Sequence, residues 1–485
     1  MNNGFITLLV NPPIPFLISN KEYKLPPALL YLAGYLRKAG ENVEVLDLNI
    51  YKPWESNPER PEEECYNILL KKIIEIRPSL IGFGCLFSGN FSAVLKLSEV
   101  VKEQFPTLRI VIGGIHPTIY ASEILTYCPS IDYIVLGEGE APLLSLVKCL
   151  KNGGFDISKI RNGFAFRVEG KVIVQPHTAY IDNLDDIPFP AYDIVNLKPY
   201  KFDLSCWHNP KGLHFDMTVP LITSRSCPYR CNFCSMFLVM GTKFRSRSAQ
   251  NVVDEIELLY DKYHMKHFNI MDDNFTLNKK RVIEICSEIC RRNINIEFET
   301  LNGVMLYKLD KDIIDAMVSA GWVRGALSIE SGSDYIRNEI MGKRLPREKI
   351  HETVELCRRH PSLYLKACFI IGMPEDTQET LMDTYKMIEE LDVHEVLVAN
   401  IIPFPGTSVF YQCLRDNLFI NLDLKNLWKD SSLYCHPANK RFFIKPYNLE
   451  LEVLQHFREK FDRLADLKRN KTLLKAALLA EIQNV

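Results

Sequence analysis

From residue 5 to about 150, short apolar runs alternate with longer segments in which apolar positions recur every three or four residues. FITLLV, VEVLDL, LIGFGC, RIVIGG and DYIVLGE are rich in Val, Ile and Leu and read as buried parallel strands. ALLYLAGYLRKAG, CYNILLKKIIEI and FSAVLKLSEVVKEQF lie between them and read as helices. This alternation predicts an α/β domain over residues 1–150, with a doubly wound parallel sheet of Rossmann-like type. Residues 151–215 are turn-rich and read as a connecting segment, with a hairpin around FAFRVEGKVIV. A second alternation occupies 216–415, with strands at TVPLITS, HFNIMD, INIEFET, GALSIE, LYLKACFIIG and EVLVANII. Helical patterns such as NVVDEIELLYDKY, KKRVIEICSEICRR and KDIIDAMVSAG separate them, which predicts a partial (β/α)6 barrel with its site at the strand C-termini. Residues 416–485 carry LELEVLQHFREKFDRLADL and KTLLKAALLAEI and read as a small helical C-terminal region.

The loops that follow the first set of strands carry Asn11-Pro12-Pro13, Ser88-Gly89-Asn90, Gly113-Gly114-Ile115-His116-Pro117 and Gly137-Glu138-Gly139-Glu140. Glycine there lets backbone approach a ligand closely, or simply makes a tight turn. Four such loops on one sheet edge favour a cofactor site. A dinucleotide is disfavoured, because no G-x-G-x-x-G follows the first strand.

Length and charge narrow the class. A chain of 485 residues suggests two or three domains, and 47% hydrophobic with 24% charged residues is a globular composition. A formal charge of −2 gives no reason to expect nucleic acid or an acidic membrane surface as partner. The apolar N-terminal run has no basic flank and is broken by prolines, so it reads as a strand rather than a signal peptide. No run reaches the roughly 20 apolar residues of a membrane helix. A cytoplasmic, reducing location follows as the expectation, leaving the 14 cysteines free to bind metal.

CPYRCNFC places Cys227, Cys231 and Cys234 directly after the first barrel strand. A structural zinc site needs four closed ligands, and the second cysteine pair is missing, though Cys206 or His208 could supply a fourth. A redox pair would use Cys231 and Cys234 and leave Cys227 idle. A 4Fe–4S cluster takes four thiolates as a rule; with three, one iron stays open to another ligand.

The C-x3-C-x2-C spacing, its position and Phe233 before the last cysteine resemble the radical S-adenosylmethionine superfamily. The resemblance implies that Cys227, Cys231 and Cys234 hold the cluster and that its open iron binds S-adenosylmethionine. Reductive cleavage then releases a 5′-deoxyadenosyl radical, with electrons from an external low-potential reductant of flavodoxin or ferredoxin type. It implies cofactor-binding roles for Phe233, for Asp272 or Asp273 toward the amino group, for Glu330-Ser331-Gly332 near the ribose and carboxylate, and for Gly372-Met373-Pro374 beside the adenine. Pro405-Gly406-Thr407 resembles the closing motif. In the first half, LVNPP, LPPALLYLAGYLRKAG, GGIHPT and LGEGE are similar in order and spacing to the cobalamin-binding members. Asn11, Pro12, Pro13, Ser88, Gly89, Gly113, Gly114, His116, Gly137, Glu138, Gly139 and Glu140 are the corrin-site residues this implies.

The cobalt-ligating D-x-H-x-x-G signature is absent, so the lower face of cobalt is expected to lack a protein histidine, and His116 is expected to play a local structural role. The function implied is methylation of an unactivated carbon or phosphorus in a small-molecule substrate, in the crevice between the domains. Ring contraction or oxidative cyclisation without methyl transfer stays open, as does a cobalamin sensor or electron carrier. Arg245 and Arg247 could pair with a carboxylate or form a basic face at a helix start. Cys65, Cys149, Cys286, Cys290, Cys357, Cys368 and Cys413 read as core, whereas Cys206-Trp207-His208 could line a substrate pocket.

Overall fold

The fold comes from a computed structural model that describes residues 4–13, 24–52, 60–86, 88–153, 160, 162–201, 207–429 and 441–483, with side chains to 472. The chain divides into two compact units, Met1–Leu204 with two short later stretches, and the remainder.

In the first unit, β1 (Ile6–Asn11), β2 (Asn42–Asp47), β3 (Leu80–Gly84), β4 (Arg109–Gly113) and β5 (Tyr133–Val135) form a parallel sheet in the order β2-β1-β3-β4-β5. Four consecutive buried residues in β1 reflect helices covering both faces. The helix Pro27–Lys38 opens with proline at its first position and buries Leu29, Leu30, Ala33 and Leu36. Strand order reverses between β1 and β3, the switch point at which such sheets bind ligands. The expected hairpin exists as β6 (Phe164–Val168) and β7 (Lys171–Gln175), but it does not merely connect. It extends the first sheet by two antiparallel strands, because Phe164 and Phe166 bury their rings in that sheet's core.

The second unit is built on β8 (Val219–Leu221), β11 (His267–Ile270), β12 (Glu297–Val304), β13 (Trp322–Glu330), β14 (Tyr364–Ile371) and β15 (Glu395–Asn400). All six are parallel, in the order β15-β14-β13-β12-β11-β8. An antiparallel ribbon of β9 (Ser224–Arg225) and β10 (Arg245–Ser246) brackets the cysteine loop. Burial alternates along β14 and β15, so one face is sealed under helices while the other keeps partial exposure. The lumen side is therefore not filled as in a closed barrel.

Among the described residues of the last region, a 3-10 turn at Leu424–Asn426 precedes one long helix from Leu451 to Gln483 that packs along β15. Before it, Trp428 belongs to the first unit, stacked on Tyr127 at 5.4 Å. Among the described residues no helix is long and apolar enough to cross a membrane.

Candidate active site

The cysteine loop is set by what precedes it. Thr223 donates its amide and hydroxyl to Asp272 at 2.6 and 2.5 Å, and the Ser224 hydroxyl donates to the same carboxylate at 2.5 Å. Arg281 donates to Thr223 O at 2.6 Å, and Arg247 donates to Ile222 O and pairs with the buried Glu255. Ser226 then takes a left-handed backbone with φ of 72°, unusual outside glycine, and turns the chain into Cys227. Beyond the turn, the Asn232 amide donates to Met341 O at 3.2 Å, and its carbonyl accepts from Val409 at 3.1 Å. Phe233 packs in the cluster of Ile336, Met373, Ile401 and Val409, so its ring anchors the loop in the core.

All three cysteines stay partly exposed, in contrast to Cys65, Cys286, Cys357 and Cys413, which are buried as expected. Cys290 is exposed and Cys368 half-buried, so neither is a core thiol; both sit on the open side of their elements. Burial pushes the Cys234 thiol up to about 11, so it keeps its proton until a metal displaces it. Among the described residues no three His, Cys, Asp or Glu side chains converge on a single ion. A cluster needs no such convergence, because it bonds each thiolate to a different iron. His208 cannot complete a zinc site with these cysteines. Its ring meets Ser362 O at 2.7 Å, before the start of β14, whereas the cysteines follow the far end of β8. Cys206 lies outside the described residues.

After β11 the two aspartates separate. Asp272 spends its carboxylate on Thr223 and Ser224. Among the described residues Asp273 accepts only from the Ser226 amide at 3.1 Å, and burial, with the charge of Asp272, raises it to about 6. Asn274 points its amide nitrogen at Cys227 Sγ, 3.5 Å away.

At the end of β13, Glu330 also has a left-handed backbone, φ 74°, and accepts from Lys343 Nζ at 2.6 Å. Although burial opposes the charge on Lys343, the fields of Glu330, Cys231 and Cys234 hold its proton on, which places the ammonium beside the cysteine loop. Lys343 carries no motif of its own in the sequence. The signal was one lysine within the apolar-flanked MGKRL, with no periodicity to mark it.

Ser331 and Gly332 both hydrogen-bond the Thr384 hydroxyl, at 3.3 and 3.0 Å. A Cβ on Gly332 would stand 2.4 Å from Thr384 Cα, so that glycine serves helix packing. Gly372, with φ of 84°, and Met373 donate their amides to Asp376 at 2.8 and 2.9 Å. Pro405 leads the turn in which Thr407 caps the helix Ser408–Arg415. Arg245 and Arg247 are both buried rather than forming a basic face.

At the strand ends of the first unit, Asn11 donates to Asp47 at 3.0 Å, and Asn49 ties both Asp47 and Pro12 O into the same network. Pro13 follows at the edge of the described residues. Ser88 bonds His116 Nδ1 at 2.8 Å, and Gly89 is buried beside it. The His116 ring is enclosed by Phe91, Tyr120 and the backbone of Trp428, and burial lowers its pKa to about 3.

The glycines are required by packing more than by ligand approach. A Cβ on Gly114 would meet Cys85 O at 2.3 Å, on Gly137 the His177 ring at 2.6 Å, and on Gly139 Leu32 at 3.0 Å. Gly113 O accepts from the Cys85 amide at 2.7 Å. Glu138 is buried in this turn, and Glu140, also buried, begins the helix Glu140–Lys151.

Features at both edges fit bound cofactors. Leu86 is 53% exposed just beyond β3, next to the switch point, and the Asn90 Oδ1 is buried there with no hydrogen-bond partner among the described residues. In the second unit Asn274 Oδ1 is likewise buried and unpartnered beside Cys227. Leaving such an acceptor unsatisfied costs about 1–3 kcal/mol, which a bound donor would recover.

Residues 17–147 match the B12 binding domain, and residues 221–388 match the radical SAM superfamily. The chain is a cobalamin-dependent radical SAM enzyme. Its cofactors are cobalamin, a 4Fe–4S cluster and S-adenosylmethionine. Among relatives of this radical SAM enzyme, "Uncharacterized methyltransferase PH0819" of Pyrococcus horikoshii is 28% identical, covering 93% of this chain and 95% of its own. "Cytidylyl-2-hydroxyethylphosphonate methyltransferase" of Streptomyces wedmorensis is 26% identical, over 92% and 87%. "Anaerobic magnesium-protoporphyrin IX monomethyl ester cyclase" of Rubrivivax gelatinosus is 28% identical, over 80% and 66%. The fold is shared with the radical S-adenosylmethionine methyltransferase TsrM from Kitasatospora setae, at 21% identity and a TM-score of 0.69. That likeness covers 85% of this chain and 76% of the other.

Proposed function

We propose that this radical SAM enzyme is a methyltransferase acting on an unactivated carbon or phosphorus of a small molecule. The observation that carries the reading is similarity along almost the whole chain to methyltransferases, both units included. When bound, the cluster supplies the electron that cleaves S-adenosylmethionine, and cobalamin supplies the methyl group. Cys227, Cys231 and Cys234 hold three irons from a loop pinned at Asn232. Asp273, with acceptor capacity to spare, receives the ammonium of S-adenosylmethionine. Lys343, set by Glu330 beside the cysteines, receives its carboxylate. Electrons come from an external reductant of flavodoxin or ferredoxin type.

A second reading, radical cyclisation without methyl transfer, is favoured by the cyclase relative. Anaerobic incubation of the loaded enzyme with S-adenosylmethionine and reductant separates the two. Methyl transfer requires S-adenosylhomocysteine together with 5′-deoxyadenosine. 5′-Deoxyadenosine alone would move the chain to the cyclase reading, and neither product would overturn both. Alanine at Cys227, Cys231 or Cys234 removes the visible absorbance of the cluster; a variant that keeps four irons removes that residue from the ligand set.

A further inference from the structure

Asn274 stands where asparagine ordinarily caps a helical turn, just before Phe275–Leu277, yet its side chain makes no capping bond. Its amide nitrogen faces two sulfurs instead, Cys227 Sγ at 3.5 Å and Met305 Sδ at 3.7 Å. The residue is 5% exposed. Two N–H groups matched to two sulfur acceptors fix the orientation of the amide, because the reversed amide would aim oxygen lone pairs at sulfur lone pairs. Met305 is itself held, its amide donating to Thr276 at 3.1 Å. Asn274 follows β11 and Met305 follows β12, so two strand ends cooperate to aim one N–H at one cysteine.

We infer that Asn274 is a positioning residue that sets the reduction potential of the cluster through an N–H···S bond to Cys227, with Met305 holding the amide in register. The inference rests on the reading of Cys227 as a cluster ligand. A hydrogen bond to a ligating sulfur draws electron density from it and stabilises the reduced, more negative cluster, so the bond raises the potential. Removing the donor makes the cluster harder to reduce. A carboxylate in its place makes it harder still.

The test is an EPR-monitored redox titration of the reconstituted holoenzyme as wild type, Asn274→Leu, Asn274→Asp and Met305→Leu. The midpoint potential is expected to fall in Asn274→Leu by about tenfold in the one-electron equilibrium, about 59 mV. Asn274→Asp is expected lower again, and Met305→Leu between wild type and Asn274→Leu. A merely structural role would not produce that order. An unchanged potential in a fully loaded Asn274→Leu overturns the inference. Should that variant not assemble its cluster, an unchanged potential in Met305→Leu, which alters no ligand, overturns it equally. Failure of the underlying reading is distinct: it is Cys227→Ala retaining an intact four-iron cluster.

Discussion

Asp272 accepts three hydrogen bonds from the turn that introduces the cysteines, so asparagine there removes charge-assisted bonds in a buried setting. Each is worth about 1.5–3 kcal/mol, and Asp272→Asn is expected to lower the denaturation midpoint clearly. Asp273→Asn is expected to behave in the opposite way. Burial has raised that carboxyl to about 6, so removing its charge costs the fold nothing at neutral pH. Its effect should fall on S-adenosylmethionine binding, by about tenfold, the loss of roughly 1.4 kcal/mol. Equilibrium dialysis alongside chemical denaturation checks the pair, and the reverse pattern would exchange the two roles. At His116 the enclosed neutral ring predicts that cob(II)alamin bound to the protein shows no nitrogen superhyperfine splitting from histidine in its EPR spectrum. Such splitting would mean that the ring leaves its place between Phe91 and Tyr120.

At the scale of elements, the turn after β14 is organised by one carboxylate. Asp376 accepts from the amides of Gly372 and Met373, and Thr380 Oγ1 donates to it at 2.8 Å from the helix Gln378–Glu390. Burial nonetheless raises Asp376 to about 6, because three donors do not replace its lost hydration. The sign of the consequence follows. Between about pH 6 and pH 4 the folded chain holds a proton at this site that the unfolded chain does not. Stability contributed there rises as pH falls through that window, by roughly 1–3 kcal/mol, and is lost above it. Asp376→Asn should flatten that slope in denaturation curves taken at several pH values; an unaltered slope would place the protonation elsewhere. The same economy governs Gly332 and Gly114, whose missing Cβ atoms let backbones meet at distances no side chain permits.

On the scale of the whole molecule, each unit carries a set of parallel strands with its candidate residues at their carboxyl ends. The first unit is not made from the first part of the chain alone. Trp428 stacks on Tyr127, meets Phe91 edge-on at 6.2 Å and reaches His116 through its backbone. Trp428→Ala is therefore expected to destabilise the first unit by about 3–5 kcal/mol, although it lies about 250 positions beyond Gln175, the end of that unit's last sheet strand. Thermal unfolding of the cobalamin-free protein followed by circular dichroism reads this directly, and an unchanged midpoint would detach Trp428 from the unit.

Periodicity determined the parallel strands of both sheets and the placing of Cys227, Cys231 and Cys234 after the first barrel strand, because buried strands and amphipathic helices write their burial into local spacing; that the hairpin β6–β7 extends the first sheet was decided by tertiary packing. The motif resemblance marked Asp272 and Asp273 without dividing them. Tertiary structure decided the division: which carboxylate is spent on Thr223 and Ser224, which amide faces sulfur, and that Lys343 stands by Glu330. Likewise Ser331 and Gly332, legible as a motif, are turned to Thr384 by a helix some 50 residues on. Spacing reports which face a residue shares. Who accepts whose proton depends on partners brought together only when distant strands close into one sheet.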